Sequence, residues 1–313
     1  MQKNVKHLKN HQDIIMDRRN ALKIMGAGLA ATVMAGIAPQ THAAILKDRA
    51  NGKKRIVFYF TATGNSLFVA KQLSDNPLSI PQELKKKELV YEADEIGFVF
   101  PDYAASAPMI VRDFVTKGTF KAPYIFSVIT FGNASVNVAE WWDNFAKGQG
   151  IANNYIQSIL MVDNYLPVFD MNQQMAIDKH IDESLAKILE DIGAHKNFVA
   201  ASEMGFFTEE ILKNMQDQHF SITAERLLEL RKDRCVECLI CASVCPHNDF
   251  SLGADGLQYA GKCEYCLACV HNCPQKALTL RSTREGWPGE RNSEARFRNP
   301  NISLNEIIRS NKQ

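Results

Sequence analysis

All eight cysteines of this 313-residue chain lie between positions 235 and 273, in two identical runs. Cys235, Cys238, Cys241 and Cys245, followed by Pro246, recur as Cys263, Cys266, Cys269 and Cys273, followed by Pro274, with an offset of 28 at each cysteine. Such spacing lets three thiolates converge on one metal–sulfur cube while the fourth turns toward a second cube. By that pattern Cys235, Cys238, Cys241 and Cys273 hold one [4Fe-4S] cluster, and Cys263, Cys266, Cys269 and Cys245 hold the other. Four-thiolate zinc and disulfides are the competing readings. Zinc takes four sulfurs per ion and leaves the third cysteine of each run without a purpose. Val236, Leu239, Ile240, Val244, Leu267 and Val270 fall between the ligands, where they would exclude water. Pro246 and Pro274 turn the chain without presenting an N–H. His247 and His271 stand beside cluster cysteines; because eight thiolates suffice, they read as surface or hydrogen-bonding residues.

A second chemistry is written at 55–66, RIVFYFTATGNS. A continuous apolar strand, a polar turn and a helical pattern at Leu67, Val69, Ala70 and Leu73 place backbone N–H groups at a helix N-terminus, where a phosphate can bind. Thr61, Thr63 and Ser66 add hydroxyls, and Gly64 allows close approach. The turn lacks the G-K-[ST] ending of a nucleotide P-loop. An ordinary strand-to-helix turn is the alternative, and it leaves the three hydroxyls unexplained. No Ser-His-Asp set or paired-carboxylate site is legible.

The elements that must position these groups alternate. EIGFVFP (95–101), YIFSVITFG (124–132) and a run around 156–162 read as buried strands, with helices over 108–118 and 138–148. One long helix is expected from Met171 to Ile192, with Gly193 beyond its end. Repeated strand–helix units imply a doubly wound parallel sheet. Its ligand would sit at the carboxyl ends of the strands, where the loops after residues 60, 100 and 130 gather.

TATGNS resembles the flavodoxin phosphate loop T-x-T-G-N-[ST], and residues 55–305 are similar to the family of fused flavodoxin and two-cluster ferredoxin proteins. Further matches are Pro101 and Tyr103 with Pro108, Thr130-Phe131-Gly132, Asp163-Asn164-Tyr165 and Arg298-Asn299-Pro300-Asn301. The resemblance implies an α/β fold: a flavodoxin-like doubly wound parallel sheet followed by a small α+β bacterial ferredoxin-like domain. It implies FMN beside the two [4Fe-4S] clusters. Thr61, Thr63, Gly64, Asn65 and Ser66 would then bind the phosphate. Pro101, Tyr103, Phe131, Gly132 and Asn133 would flank the isoalloxazine, with Tyr103 as the stacking candidate. Ala105-Ser106 and Asn133 depart from the glycines common at those places, which bears on how the backbone near flavin N5 rearranges. Trp141 and Trp142, near the second flavin loop, read as helix-core packing, with flavin contact as the alternative.

Residues 1–43 read as a signal peptide. A basic segment containing Arg18 and Arg19 precedes a weak apolar run, with Thr41 and Ala43 at the minus-three and minus-one positions. Arg18-Arg19-Asn20-Ala21-Leu22-Lys23 resembles the twin-arginine pattern, with Ala21 in place of its usual Phe, so an ordinary Sec signal competes. GAGLAA at 26–31 matches a dinucleotide fingerprint but lacks the preceding strand and the acidic residue downstream. The first 43 residues hold six Lys/Arg and two Asp/Glu, so the remaining 270 residues carry about −3, against +1 for the whole chain. That balance argues against a nucleic-acid surface, and Lys85-Lys86-Lys87 reads as a solvated helix face. The expected organisation is signal peptide 1–43, FMN-binding domain 54–195, helical linker 196–229, two-cluster domain 230–285 and C-terminal tail 286–313. No membrane span is expected in the mature chain.

The functional expectation is a periplasmic electron-transfer protein, exported by the twin-arginine machinery and cleaved near Ala43. Its partner would be a redox protein or a membrane quinone-linked oxidoreductase. The alternatives are an FMN-dependent reductase of a quinone or other small molecule fed by the clusters, and a redox-sensing binding module.

Overall fold

Apolar runs that do not alternate with polar residues become strands covered on both faces. In the computed structural model such runs form β1 (Arg55–Tyr59), β4 (Glu95–Pro101), β6 (Tyr124–Phe131) and, in part, β7 (Tyr155–Leu160), beside the shorter β2 (Leu78–Ser79), β3 (Val90–Glu92), β5 (Thr119–Lys121) and β8 (Phe198–Val199), whose two residues are exposed. Six of them form one sheet in the order β2-β1-β4-β6-β7-β8, and every neighbouring pair is parallel. Strands β3 and β5 pair separately. The structure describes residues 53–253, 256–282 and 289–313, all within one compact unit, Ala38–Gln313. The expected signal peptide lies outside the described residues.

Both faces of the central sheet are covered, as alternate residues from Val57 of β1 to Phe60 just beyond it show. Val57 and Tyr59 pack with α1 (Asn65–Leu73), whereas Phe58 and Phe60 pack with α2 (Met109–Lys117) and α3 (Val138–Gly148). Trp142 is fully buried on this second face against Phe98 and Phe100, and its Nε1 donates to Ser127 Oγ at 2.8 Å. Lys85, Lys86 and Lys87 are exposed, but on a turn.

The long helix expected over 171–192 is two helices, α4 (Met171–Ala176) and α5 (Ile181–Gly193). Between them the Asp178 carboxylate accepts from the His180 N–H at 2.9 Å, and His180 adopts a left-handed φ of 49°. Such local side-chain bonds compete with helix continuation. The break buries Lys179, whose Nζ donates to Gln174 Oε1 at 3.1 Å.

Residues 196–229, expected as a helical linker, include the 12-residue helix α6 (Glu209–Phe220), with Thr208 capping its N-terminus. Beyond it β9 (Leu228–Leu230) pairs antiparallel with β12 (Leu278–Leu280) and brackets the cysteine runs. Inside that bracket lie α7 (Ile240–Ser243), the hairpin of β10 (Phe250–Gly253) and β11 (Gly256–Tyr259), and α8 (Ala268–His271). The expected tail is also structured. Helix α9 (Leu304–Asn311) carries a Ser303/Glu306 capping box, and Ile307, Ser310 and Asn311 are buried against the first half.

Candidate functional site

The two cysteine runs fold with the same local geometry. Left-handed residues recur at the 28-residue offset, Glu237 with Tyr265, Leu239 with Leu267 and Asn248 with Lys276. Leu239 and Leu267 each cap the short helix that carries the third cysteine of their run. Backbone N–H groups also point at sulfur in matching places, Asp249 N to Cys245 Sγ at 3.4 Å and Ala277 N to Cys273 Sγ at 3.2 Å. Two small cavities result. One is lined by Cys235, Cys238, Cys241 and Cys273, the other by Cys245, Cys263, Cys266 and Cys269. Each cavity therefore draws its fourth cysteine from the opposite run. Burial pushes the Cys241 and Cys263 thiols up to about 12. Both neighbouring histidines are hydrogen-bonded. His247 Nε2 lies 2.6 Å from the Glu264 carboxylate; buried His271 reaches Asn164 O at 2.8 Å and accepts from Phe297 N.

At the other site, the 61–66 turn is held from behind. Three successive carbonyl oxygens are occupied by segments distant in sequence: Asn311 Nδ2 donates to Thr61 O at 2.9 Å, Asn272 Nδ2 to Ala62 O at 3.4 Å and Asn299 N to Thr63 O at 2.8 Å. Gly64 accepts a φ of 104°, and a Cβ there would lie 3.0 Å from the Cβ atoms of both Asn299 and Ile302. The first turn of α1 has no side-chain cap and no acidic residue, so its N–H groups and dipole remain available to an anion.

This turn forms one end of a cavity of about 1240 Å³. Thr61, Thr63, Asn65 and Ser66 line it, as do Pro101, Tyr103, Phe131, Gly132 and Asn133. Gly64 is the exception among the expected binding residues, since it packs under the turn against the 299–302 segment. The loop after β4 is tightly specified. Ala104 and Ala105 have φ of 54° and 57°, Ser106 Oγ donates to Tyr103 O, and Arg112 donates to Ser106 Oγ and Ala107 O. Arg112 lies over the rings of Trp141 and Phe220. Ser106 thus supplies a hydroxyl link that glycine could not.

Several wall residues were beyond sequence reasoning. Helix α6 and the residues after it contribute Met215, His219 and Ile222, and the second cysteine run contributes Tyr265 and Cys266. His219 stacks on Tyr265 with centroids 4.8 Å apart and leans on Tyr103 at 5.3 Å. Burial holds it down at about 4, hence neutral. Burial also keeps the Tyr103 phenol protonated, with Cys266, Glu264 and Cys263 adding to the effect. Asp102 and Asp163, 61 residues apart in the sequence, line the same cavity.

No curated protein matches the chain. The 4Fe-4S binding domain family matches residues 228–250, which include the whole first cysteine run. With the second run folded in the same way, the chain carries a ferredoxin-type iron–sulfur domain that binds [4Fe-4S] and serves electron transfer.

Proposed function

We propose that the chain passes electrons between FMN, held in the large cavity, and two [4Fe-4S] clusters held by the crossed cysteine sets. The observation that carries this reading is that Cys266 belongs to both sites: it lines the large cavity and one of the cysteine cavities. The order is then flavin, the 245/263/266/269 cluster, the 235/238/241/273 cluster, with the last one open to an outside partner.

The residues present fit FMN. The α1 N-terminus with Thr61, Thr63, Asn65 and Ser66 suits its phosphate, and Asp163 lies so close over Gly132 that a Cβ there would meet it at 2.4 Å. Omitting the short β3/β5 pair, the first five strands of the sheet follow the flavodoxin-like order 2-1-3-4-5, whose switch point lies between β1 and β4, at the mouths of the 61–66 and 101–108 loops. Clusters supply single electrons and FMN accepts one or two. The protein's part is to hold the phosphate, exclude water and set the spacing of the centres. Among the described residues no helix is long and apolar enough to cross a membrane. Export by the twin-arginine route, with the cofactors inserted before export, fits the leader and a partner on the far side of the membrane.

A second reading rests on cavity size. Drug-sized ligands fill roughly 300–1,000 Å³, so about 1240 Å³ leaves room for a small oxidant beside the flavin. Anaerobic purification followed by iron, sulfide and flavin analysis tests the first reading, which expects about eight iron and one FMN per chain. Zinc, or no flavin, would overturn it. Rapid turnover of one soluble quinone or nitro compound would replace the carrier by a reductase.

A further inference from the structure

The two cysteine runs repeat at an offset of 28, so each residue around one cluster site has a counterpart around the other, and the differences between counterparts stand out. Two of them place acid beside the 245/263/266/269 set. Asp249 is the counterpart of Ala277, and Glu264 is the counterpart of Val236. The backbones match, because Asp249 N and Ala277 N both point at the sulfur four residues earlier. Only the side chains differ. Asp249 and Glu264 line the cavity of Cys245 and Cys263 at 1 % and 2 % exposure, whereas Ala277 and Val236 line the other. Glu264 has partners in the His247 ring and in the Ile110 N–H at 3.4 Å. The Asp249 carboxylate accepts from the Lys262 N–H through Oδ1 at 2.7 Å, but its Oδ2 is buried without a hydrogen bond, and among the described residues no cation pairs with it. A buried oxygen left without a partner is costly to a fold, and a redox site is one place where such a cost has a use.

An electron arriving on a cluster adds negative charge, and a fixed negative charge beside it in a water-poor surrounding opposes that arrival. We propose that Asp249 sets the potentials of the two clusters apart and makes the 245/263/266/269 cluster the harder one to reduce. The inference rests on the two-cluster part of the reading above and not on the flavin. Each cluster takes up one electron, and no bond is made or broken. Beside the other set, Arg231, Arg234 and Lys276 share the one Glu294 carboxylate, an excess of positive charge that acts in the same direction, while Glu237 is exposed and screened by water. One contact acts the other way, since the Tyr265 N–H points at Cys263 Sγ at 3.3 Å. A single N–H dipole is weaker than a whole buried charge. Electrons therefore come to rest on the 235/238/241/273 cluster, and passage from it toward the large cavity is the uphill step.

The test is a redox titration of the full chain with clusters loaded, followed by low-temperature EPR with dithionite as the electron source, in the parent, Asp249→Asn and Asp249→Ala. Asn keeps an oxygen for the Lys262 N–H, and Ala is what the counterpart position 277 already holds. The parent should show two one-electron steps. In both variants the lower step should rise, the ratio of reduced to oxidised cluster at a fixed potential growing about tenfold, which is about 59 mV for one electron, while the upper step stays in place. Cys241→Ala and Cys245→Ala, each left with one cluster, assign the steps: the first should titrate at the lower potential and the second at the upper. A lower step that does not move in a variant holding both clusters overturns the proposal, as does a lower step that belongs to the 235/238/241/273 set. Failure of both variants to load the 245/263/266/269 cluster also overturns it, by making Asp249 a structural residue. A parent that iron and sulfide analysis shows to hold a single cluster overturns the two-cluster reading and this proposal with it.

Discussion

Replacing Gly64 by Ala separates two costs that meet under the 61–66 turn. The first is conformational: an L-residue forced to positive φ loses roughly 1–2 kcal/mol, and Gly64 stands at 104°. The second is steric, because the new methyl would lie 3.0 Å from the Cβ atoms of Asn299 and Ile302 and must push that segment away. Overpacking of this kind costs about 1–3 kcal/mol. Gly150 provides the control, with φ of 80° and nothing within 4 Å of an added Cβ. Gly150→Ala therefore carries the first cost alone, about 1 kcal/mol, and Gly64→Ala carries both, about 3 kcal/mol. At roughly 2–4 °C per kcal/mol for a chain of this size, the melting temperature should fall about 2–4 °C for Gly150→Ala and about 6–12 °C for Gly64→Ala. Anaerobic thermal unfolding followed by circular dichroism measures both, and limited proteolysis should cut sooner around residues 299–311 in Gly64→Ala. Equal shifts in the two variants would show that the 299–302 segment yields freely, and the account of the turn as braced from behind would be wrong.

Other expectations are more direct. Cys241→Ala should lower iron by about half while Cys245→Ala removes the other half; iron analysis with low-temperature EPR would reveal the crossed sets, and loss of the same cluster in both variants would refute them. Glu306 responds to pH. Burial raises its carboxyl, but Lys71 and both donors of Ser303 outweigh this and hold it at about 2, below the ordinary value of 4.5. Its contribution is thus complete above pH 4.5 and lost as the pH falls from there toward 2. Glu306→Gln should be most costly in urea unfolding near pH 7 and nearly neutral in acid, and an equal cost at both would refute the assignment. Arg112→Lys, which loses the fork shared by Ser106 and Ala107 and the stacking on two rings, should destabilise by about 1–3 kcal/mol; a shift under 0.5 kcal/mol in chemical denaturation would show that the loop holds itself.

The legible parts were those encoded locally. Cysteine spacing, a strand entering TATGNS and the apolar runs of β1, β4 and β6 each announce themselves within about a dozen residues, and the structure gathers them as expected. What was hidden depends on contacts across the chain. Nothing in Asn311 or Asn272 marks them as partners of Thr61 and Ala62, and nothing in residues 196–229 marks His219 as part of a cavity wall. Asp102 and Asp163 line one cavity only because β4 and β7 flank β6. The break before α5 eluded periodicity because Ile181, Leu185, Ile188 and Ile192 keep their spacing, while the interruption arises from one short bond, Asp178 to the His180 N–H. Glu237 and Tyr265 are not residue types that favour left-handed backbone, so the repeat in conformation was visible in the cysteines alone.

The three carbonyls of the 61–66 turn also set a timetable. Their partners come from positions 272, 299 and 311, so a chain emerging from the ribosome has made the turn some 250 residues before it can be held. The sheet can assemble earlier, but the turn stays unbraced until the cysteine runs have emerged and folded, because Asn272 sits directly before Cys273. A ligand offered to the nascent chain would meet a turn still able to rearrange. Truncation after residue 298 should accordingly leave iron binding largely intact while weakening capture of a phosphate-bearing ligand at a turn 235 or more positions away.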